Sequence, residues 1–147
     1  FVSVSIRAAR AEDADRLREI AIASKAHWGY DLDQVRRWGE TIDFPPETYV
    51  AESEDASIAW MALDPRGDLI WLADMWVDPP WIGKGIGSLL FRDAVGRARA
   101  LGGTRMEWEA EPNAVGFYER VGGRYLRDSE PSEWDRVLPV MGVDLTS

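Results

Sequence analysis

A glycine-rich segment between a predicted strand and a predicted helix is the feature that most constrains the fold of this 147-residue chain. Glycines occupy positions 83, 85 and 87, separated by five residues from the apolar stretch 69–77 and at the start of an apolar helical pattern from Ile86 to Leu101. Alternate glycines let the backbone approach a bound group closely, and the amide groups at a helix N-terminus attract anions. The segment predicts a pyrophosphate-binding turn to which Lys84 adds a charge, although a tight turn without a ligand would use the same glycines.

Two familiar nucleotide-binding motifs have a glycine spacing that differs from that of this segment. A P-loop needs Gly-x-x-x-x-Gly-Lys-Ser/Thr, whereas a single residue, Lys84, separates Gly83 from Gly85. A dinucleotide site needs Gly-x-Gly-x-x-Gly after the first strand of a βαβ unit, but Gly87 comes one position too early and the preceding pattern predicts a meander. The P-loop is excluded, and a dinucleotide-binding enzyme remains a weaker alternative.

The apolar patterns elsewhere predict the order β-α-α-β-β-β-α-β-α-β-β. Alternation of Val2, Val4 and Ile6 predicts the first strand, and helical spacing predicts a helix from Ala11 to about Ser24. The other predicted elements are a helix at 31–38, an antiparallel meander at 49–51, 58–63 and 69–77, a helix at 86–101, a strand at 104–110, a helix at 113–121, and strands at 124–127 and 137–145.

Composition excludes several classes of function. The chain has no cysteine and one histidine, which removes disulfides, thiolate nucleophiles and multi-histidine or Cys-ligated metal sites, so we expect no metal. A net charge of −9 disfavours nucleic acid as a partner and suits a cationic substrate, although solubility explains it equally well. No apolar run approaches the roughly 20 residues that span a bilayer, so we expect no membrane partner and a cytoplasmic location.

Two segments together resemble the GNAT (GCN5-related N-acetyltransferase) superfamily. Residues 75–79 match its strand ending in Val-x-Pro, and residues 82–87 match its Arg/Gln-x-x-Gly-x-Gly/Ala loop, with Ile82 at the position of the usual Arg or Gln. A second segment, 111–123, is similar to the signature that runs from an Asn through Phe-Tyr to Gly-Phe, with Gly123 in place of the last aromatic residue. The resemblance spans residues 69–145.

The resemblance implies an α/β fold of the α+β type, in which a mixed, twisted sheet of about seven strands is flanked by four helices. It implies one N-acetyltransferase domain over residues 1–147, which moves an acetyl group from acetyl-CoA to the primary amine of a small molecule or peptide. The alternative is a GNAT-like domain without catalytic activity, which binds CoA or has a regulatory role. Because dimers are common among such domains, the resemblance implies a homodimer as a possible assembly of this chain.

The resemblance also implies roles for individual residues. Tyr118 is the expected general acid. For the base, strand position leaves three carboxylates open, Asp74, Glu107 and Glu109, acting directly or through water, and Asp74 and Glu109 rank first together. Tyr118 could instead be a core aromatic residue paired with Phe117. The carboxylates could instead be solvated or form ordinary ion pairs with arginines. The expected contacts to the cosubstrate are Met75, Trp76, Val77, Gly83, Lys84, Gly85, Ile86, Gly87, Ser88 and Asn113, the last of which should also cap its helix. The expected acceptor-binding residues are His27, Trp28 and Tyr30.

Overall fold

A computed structural model describes residues 3–131 and 136–146, and the order of its elements is the predicted one. Val2, predicted to begin the first strand, lies outside the described residues. The strands are β1 (Ser5–Ala8), β2 (Glu47–Ser53), β3 (Ala56–Arg66), β4 (Leu69–Val77), β5 (Arg105–Glu109), β6 (Arg124–Asp128) and β7 (Pro139–Asp144). The α-helices in the described ranges are α1 (Ala14–His27), α2 (Leu32–Glu40), α3 (Ile86–Ala100) and α4 (Val115–Arg120).

The seven strands form one mixed sheet in the order β1-β2-β3-β4-β5-β7-β6. Pairing is antiparallel between β1 and β2, between β5 and β7, and between β6 and β7. Strands β4 and β5 pair in parallel, with a register from Leu69↔Arg105 to Trp71↔Glu107. Because parallel neighbours need a crossover connection, α3 lies between them in the chain, and the predicted mixed α/β fold is confirmed.

The chain divides into two compact units. The first comprises Phe1–Ala62 and Asp74–Arg92, and the second comprises Leu63–Ala73 and Asp93–Ser147. The chain therefore passes between the units within β3, β4 and α3. The expectation of a single domain stays a prediction. In the described part of the chain, no helix combines the length and apolarity needed to cross a membrane.

The first unit buries the predicted apolar face of α1. Leu17, Ile20 and Ala21 are almost fully buried against Trp60 of β3, whose indole Nε1–H donates to the carbonyl oxygen of Leu17 at 2.8 Å. Satisfying this polar atom lets the largest side chain of the cluster enter the core without an unpaired donor. The helix ends at His27, so the predicted end near Ser24 is wrong by about one turn.

The second unit is built around Trp108 of β5, which is fully buried. A Cβ placed on Gly123 would lie 2.9 Å from the Trp108 ring and 3.0 Å from the carbonyl oxygen of Tyr118. Since real Cβ contacts are almost never this short, a side chain at position 123 would displace the core. Close packing by Trp108 therefore accounts for the glycine where the resembling signature has an aromatic residue.

Candidate functional site

The connection from β4 to α3 has the backbone that its glycines predict. Gly83 and Gly85 have φ values of +81° and +82°, in the left-handed region where a residue with a Cβ pays roughly 1–2 kcal/mol. A Cβ at either position would meet nothing within 4 Å. Both glycines are therefore required by the turn of the backbone, and the space beside them is open to a ligand.

The start of α3 presents amide donors to that open space. The first helical hydrogen bond runs from the Leu89 N–H to the Gly85 carbonyl oxygen at 3.1 Å. The N–H groups of residues 86–88 precede it, so they have no acceptor within the helix. Lys84 is exposed, with its Nζ 5.6 Å from the ring centroid of Trp81. These first-turn amides, the positive end of a 15-residue helix and an adjacent ammonium group together form a site that can bind a diphosphate.

A salt bridge fixes the entrance to this loop. The Asp78 N–H donates to the Ile58 carbonyl oxygen of β3 at 2.9 Å, and the Asp78 carboxylate binds the Arg16 guanidinium of α1 at 2.8 Å. Arg16 also donates to the carbonyl oxygen of Ser57 at 3.1 Å. The position of the loop is thus set by contacts to α1 and β3 that its own sequence does not indicate.

Asp74 lies near the end of β4, three residues before the strand ends at Val77. Its carboxylate accepts a hydrogen bond from the Trp76 Nε1–H at 3.0 Å, which the two-residue spacing on one strand face allows. Burial raises the pKa of Asp74 to about 6, against the opposing effects of the Trp76 hydrogen bond and the Lys25 charge. A carboxyl group with a pKa close to neutral can both accept and release a proton near physiological pH.

An aromatic cluster surrounds the ammonium group of Lys25, and we call it the Lys25 cage. Its walls are Trp38 of α2, Tyr30 of the connection between α1 and α2, and Trp76 of β4. The Lys25 Nζ lies 4.0 Å from the ring centroid of Trp38, 5.5 Å from that of Tyr30 and 6.0 Å from that of Trp76. Trp38 and Trp76 also pack edge to face, with centroids 5.3 Å apart. Each distance is within the range over which a cation is attracted to an aromatic face.

The structure separates the three residues predicted to bind the acceptor. Tyr30 belongs to the Lys25 cage, whereas His27 and Trp28 are exposed and pack edge to face on each other, 5.0 Å apart. Sequence reasoning missed Lys25 and Trp38. One signal was present, because the chain has 17 basic side chains and only two of them are lysines, Lys25 and Lys84. Both lysines lie at candidate binding features.

Tyr118 of α4 lies in the second unit and is buried. Its ring packs against Trp108 and Phe117, with centroid distances of 5.0 and 5.1 Å. Burial raises the pKa of the Tyr118 phenol above its ordinary value, so the phenol stays protonated at neutral pH. The ring thus packs as a core aromatic residue and keeps a proton that it can donate.

Asn113 does not cap α4, so that prediction is wrong. A short 3-10 turn, Pro112–Ala114, precedes the helix, and Ala114 takes the N-cap position. The exposed Asn113 side chain instead donates to Glu111 Oε1 at 3.0 Å. The extra turn moves the helix start past Asn113, which periodicity alone does not reveal.

The two neighbouring glutamates of β5 differ in environment. Glu107 is buried and accepts a hydrogen bond from Arg127 at 2.9 Å, as expected for a charge partner of arginine. Glu109, one of the two predicted bases, is exposed. Asp74, the other predicted base, is the one whose pKa burial raises to about 6.

Sequence comparison identifies one family. The model of the Acetyltransferase (GNAT) family matches residues 14–123. This range includes the glycine-rich segment at 82–87 and the Asn-to-Gly segment at 111–123. No curated protein matches the chain at a significant level.

Similar folds are found among solved structures. PaiA N-acetyltransferase from Thermoplasma acidophilum, in complex with coenzyme A, is 19% identical with a TM-score of 0.77, over 97% of this chain and 99% of that one. A GCN5-related N-acetyltransferase from Rhodopseudomonas palustris is 18% identical with a TM-score of 0.80, over 98% of each chain. YncA from Salmonella typhimurium, with its cofactor acetyl-CoA, is 19% identical with a TM-score of 0.73, over 99% of this chain and 95% of that one. At these identities the likeness establishes the fold.

Proposed function

The chain belongs to the acetyltransferase (GNAT) family, and from this premise we propose that it transfers an acetyl group from acetyl-CoA to the primary amine of a small molecule or peptide. The observation that carries the proposal is the pair of left-handed glycines at Gly83 and Gly85, which precede the first amides of α3, the ones that have no acceptor within the helix. Two similar structures were solved with coenzyme A or acetyl-CoA, which supports the same cosubstrate here.

The residues present fit acetyl-CoA. In this proposal residues 83–88 hold the diphosphate through backbone N–H groups, and the ammonium group of Lys84 adds attraction. The backbone of residues 75–77 at the end of β4 pairs with the pantetheine arm as an added strand would. Contact between Asn113 and the cosubstrate remains a prediction. Bound acetyl-CoA supplies an acetyl group activated as a thioester.

Asp74 is the proposed general base. An alkylamine is an ammonium ion at neutral pH and must lose a proton before it can attack a carbonyl carbon. With its pKa raised to about 6, the Asp74 carboxylate is ionised at pH 7 and yet more basic than an exposed aspartate. The Trp76 Nε1–H holds one carboxylate oxygen at 3.0 Å, which fixes the orientation of the base.

Tyr118 is the proposed general acid. A departing thiolate is stabilised when it receives a proton, and a buried phenol with a raised pKa retains that proton over the working pH range. Attack by the amine on the acetyl carbon forms the new C–N bond, the C–S bond breaks, and the thiolate takes the phenol's proton. The nitrogen loses one proton to solvent as the amide forms, and a proton from solvent restores the phenol. This direct transfer needs no nucleophile from the protein, consistent with a chain that has no cysteine.

One observation favours a second candidate function. Ile82, which replaces the usual Arg or Gln of the loop signature, brings no side-chain donor to the diphosphate. Weaker cosubstrate binding would suit a GNAT-like domain that binds CoA for regulation without turnover. The two candidates differ in one observable, since the regulatory domain would bind CoA and release no thiol with any amine.

Isothermal titration with acetyl-CoA tests the cosubstrate assignment. We expect saturable binding that Gly85→Val abolishes, because valine is strained at a φ of +82° and its side chain occupies the open face of the loop. Gly96→Ala is the matched control, since Gly96 is an exposed glycine of α3, the helix that follows Gly85, and has no positive φ. Absence of binding by the unaltered protein would overturn the enzyme assignment and leave the fold unaffected.

Thiol release against a panel of primary amines tests the transfer itself. The protein contributes no thiol background because it has no cysteine. Acetyl-CoA binding with amine-dependent thiol release supports the acetyltransferase, whereas binding without release under any amine supports the regulatory domain.

A further inference from the structure

The Lys25 cage holds the same chemical group that the proposed reaction consumes. Lysine ends in a primary ammonium group on an unbranched four-carbon chain. Here that group lies against three aromatic rings, the closest at 4.0 Å from its nitrogen. Aromatic cages of this kind attract cations through the ring faces, and a partly desolvated cage does so more strongly.

A carboxylate completes the site. The Asp74 carboxylate accepts a hydrogen bond from Trp76, which is one wall of the cage, and interacts electrostatically with the Lys25 ammonium group. The cage thus combines aromatic faces with a negative group, which together select a cation. Asp74 is also the proposed base, so an ammonium group in the cage lies in the electrostatic field of the group assigned to deprotonate the acceptor.

We propose that the Lys25 cage is the binding site for the acceptor's ammonium group, and that Lys25 fills it in the resting protein as a tethered stand-in for the substrate. The proposal rests on the proposed function and names its acceptor class: a primary amine at the end of a flexible, unbranched alkyl chain. Lys25 is a specificity-determining residue in this scheme, because an acceptor must displace its ammonium group.

Displacement sets the expected direction of the effect. A free ligand can bind only while the tethered group is out of the site. The apparent affinity is therefore the intrinsic affinity multiplied by the fraction of molecules whose site is empty. Replacing Lys25 with methionine keeps an unbranched apolar side chain and removes the competing charge. For a cation–π interaction of ordinary strength we expect Lys25→Met to bind an alkylammonium probe about fivefold to tenfold more tightly than the unaltered protein.

The first arm of the test measures binding without acetyl-CoA. Isothermal titration with n-butylamine hydrochloride, near pH 8 so that Asp74 is ionised in each variant, compares the unaltered protein with three variants. Lys25→Met should bind more tightly, and Lys25→Arg, which keeps a cation in the cage, should bind like the unaltered protein. Arg36→Met removes a positive charge from an exposed position on α2 and should change nothing. Equal or weaker binding by Lys25→Met overturns the proposal, since weaker binding would make Lys25 a direct contact of the ligand.

A second variant addresses the cage itself. Trp38→Leu removes the closest aromatic face and should weaken n-butylammonium binding in the Lys25→Met background. Far-UV circular dichroism and the urea midpoint establish that this variant is folded. Unchanged binding by the folded double variant would show that the probe binds elsewhere and would also overturn the proposal.

The second arm separates this inference from the proposed function. In the thiol-release assay with n-butylamine and acetyl-CoA, Lys25→Met should lower KM about fivefold to tenfold, whereas the control Arg36→Met should leave KM unchanged. Tighter probe binding, with no thiol release from any variant with any amine of the panel, would refute the acetyltransferase and leave the cage as a cation site. Turnover with KM unchanged or raised in Lys25→Met would refute the cage as the acceptor site and leave the acetyltransferase standing.

Discussion

Asp74 is expected to cost the folded protein stability at neutral pH. Its pKa is raised from an ordinary value of 3.8 to about 6, chiefly by burial. A carboxyl group that holds its proton more tightly in the folded state binds more protons there than in the unfolded state between these two pH values. The free energy of unfolding therefore falls as pH rises through this interval, and the loss remains at every higher pH.

The magnitude follows from the same interval. At 1.36 kcal/mol for each pH unit, the difference between the ordinary and the raised pKa corresponds to on the order of 3 kcal/mol. Asp74→Asn removes the charge and keeps an oxygen that can accept the Trp76 hydrogen bond. We expect the asparagine variant to match the unaltered protein near pH 4 and to be more stable by up to about 3 kcal/mol near pH 8.

Urea denaturation followed by tryptophan fluorescence, at intervals from about pH 4 to about pH 8, measures this difference directly. Comparing two variants at each pH cancels the titration of every group they share. Asp43→Asn, at an exposed carboxylate between α2 and β2, is the control for the aspartate-to-asparagine change itself. Two results would refute the assignment of a raised pKa to Asp74. The difference in unfolding free energy between Asp74→Asn and the unaltered protein could stay constant with pH, or the unaltered protein could be the more stable of the two at high pH.

Three further predictions concern separate parts of the molecule. Tyr118→Phe should lower kcat about 100-fold or more in the thiol-release assay without changing acetyl-CoA affinity, and an unchanged kcat would remove Tyr118 from the mechanism. Gly103→Ala should destabilise the protein by about 1–3 kcal/mol in urea, because its Cβ would lie 2.9 Å from a carbonyl oxygen of α3, whereas Gly96→Ala should not destabilise it. Arg7→Met should cost about 1–2 kcal/mol at pH 7, since Arg7 holds the pKa of Asp13 at about 2. That cost should shrink as acid protonates Asp13, and a cost independent of pH would exclude this ion pair as its source.

Some features of the chain were determined by the sequence alone because their causes are local. The order of strands and helices follows from the spacing of apolar residues, which depends only on the repeat of each element. The strand-to-helix turn was predicted from alternating glycines, and Gly83 and Gly85 do adopt the left-handed conformation that favours glycine. In each case the information lies within a few residues of the feature it specifies.

Tertiary structure decided the chemical character of the candidate site. The sequence could not rank Asp74 above Glu109 as the base, because the two residues differ in how far the fold buries them. Burial raises the pKa of Asp74, whereas Glu109 is exposed. The Lys25 cage draws on α1, the following connection, α2 and β4, so no local pattern indicates it. Desolvation and the attraction between a cation and aromatic faces depend on distances in space, and residues far apart in the chain acquire those distances only when the chain folds.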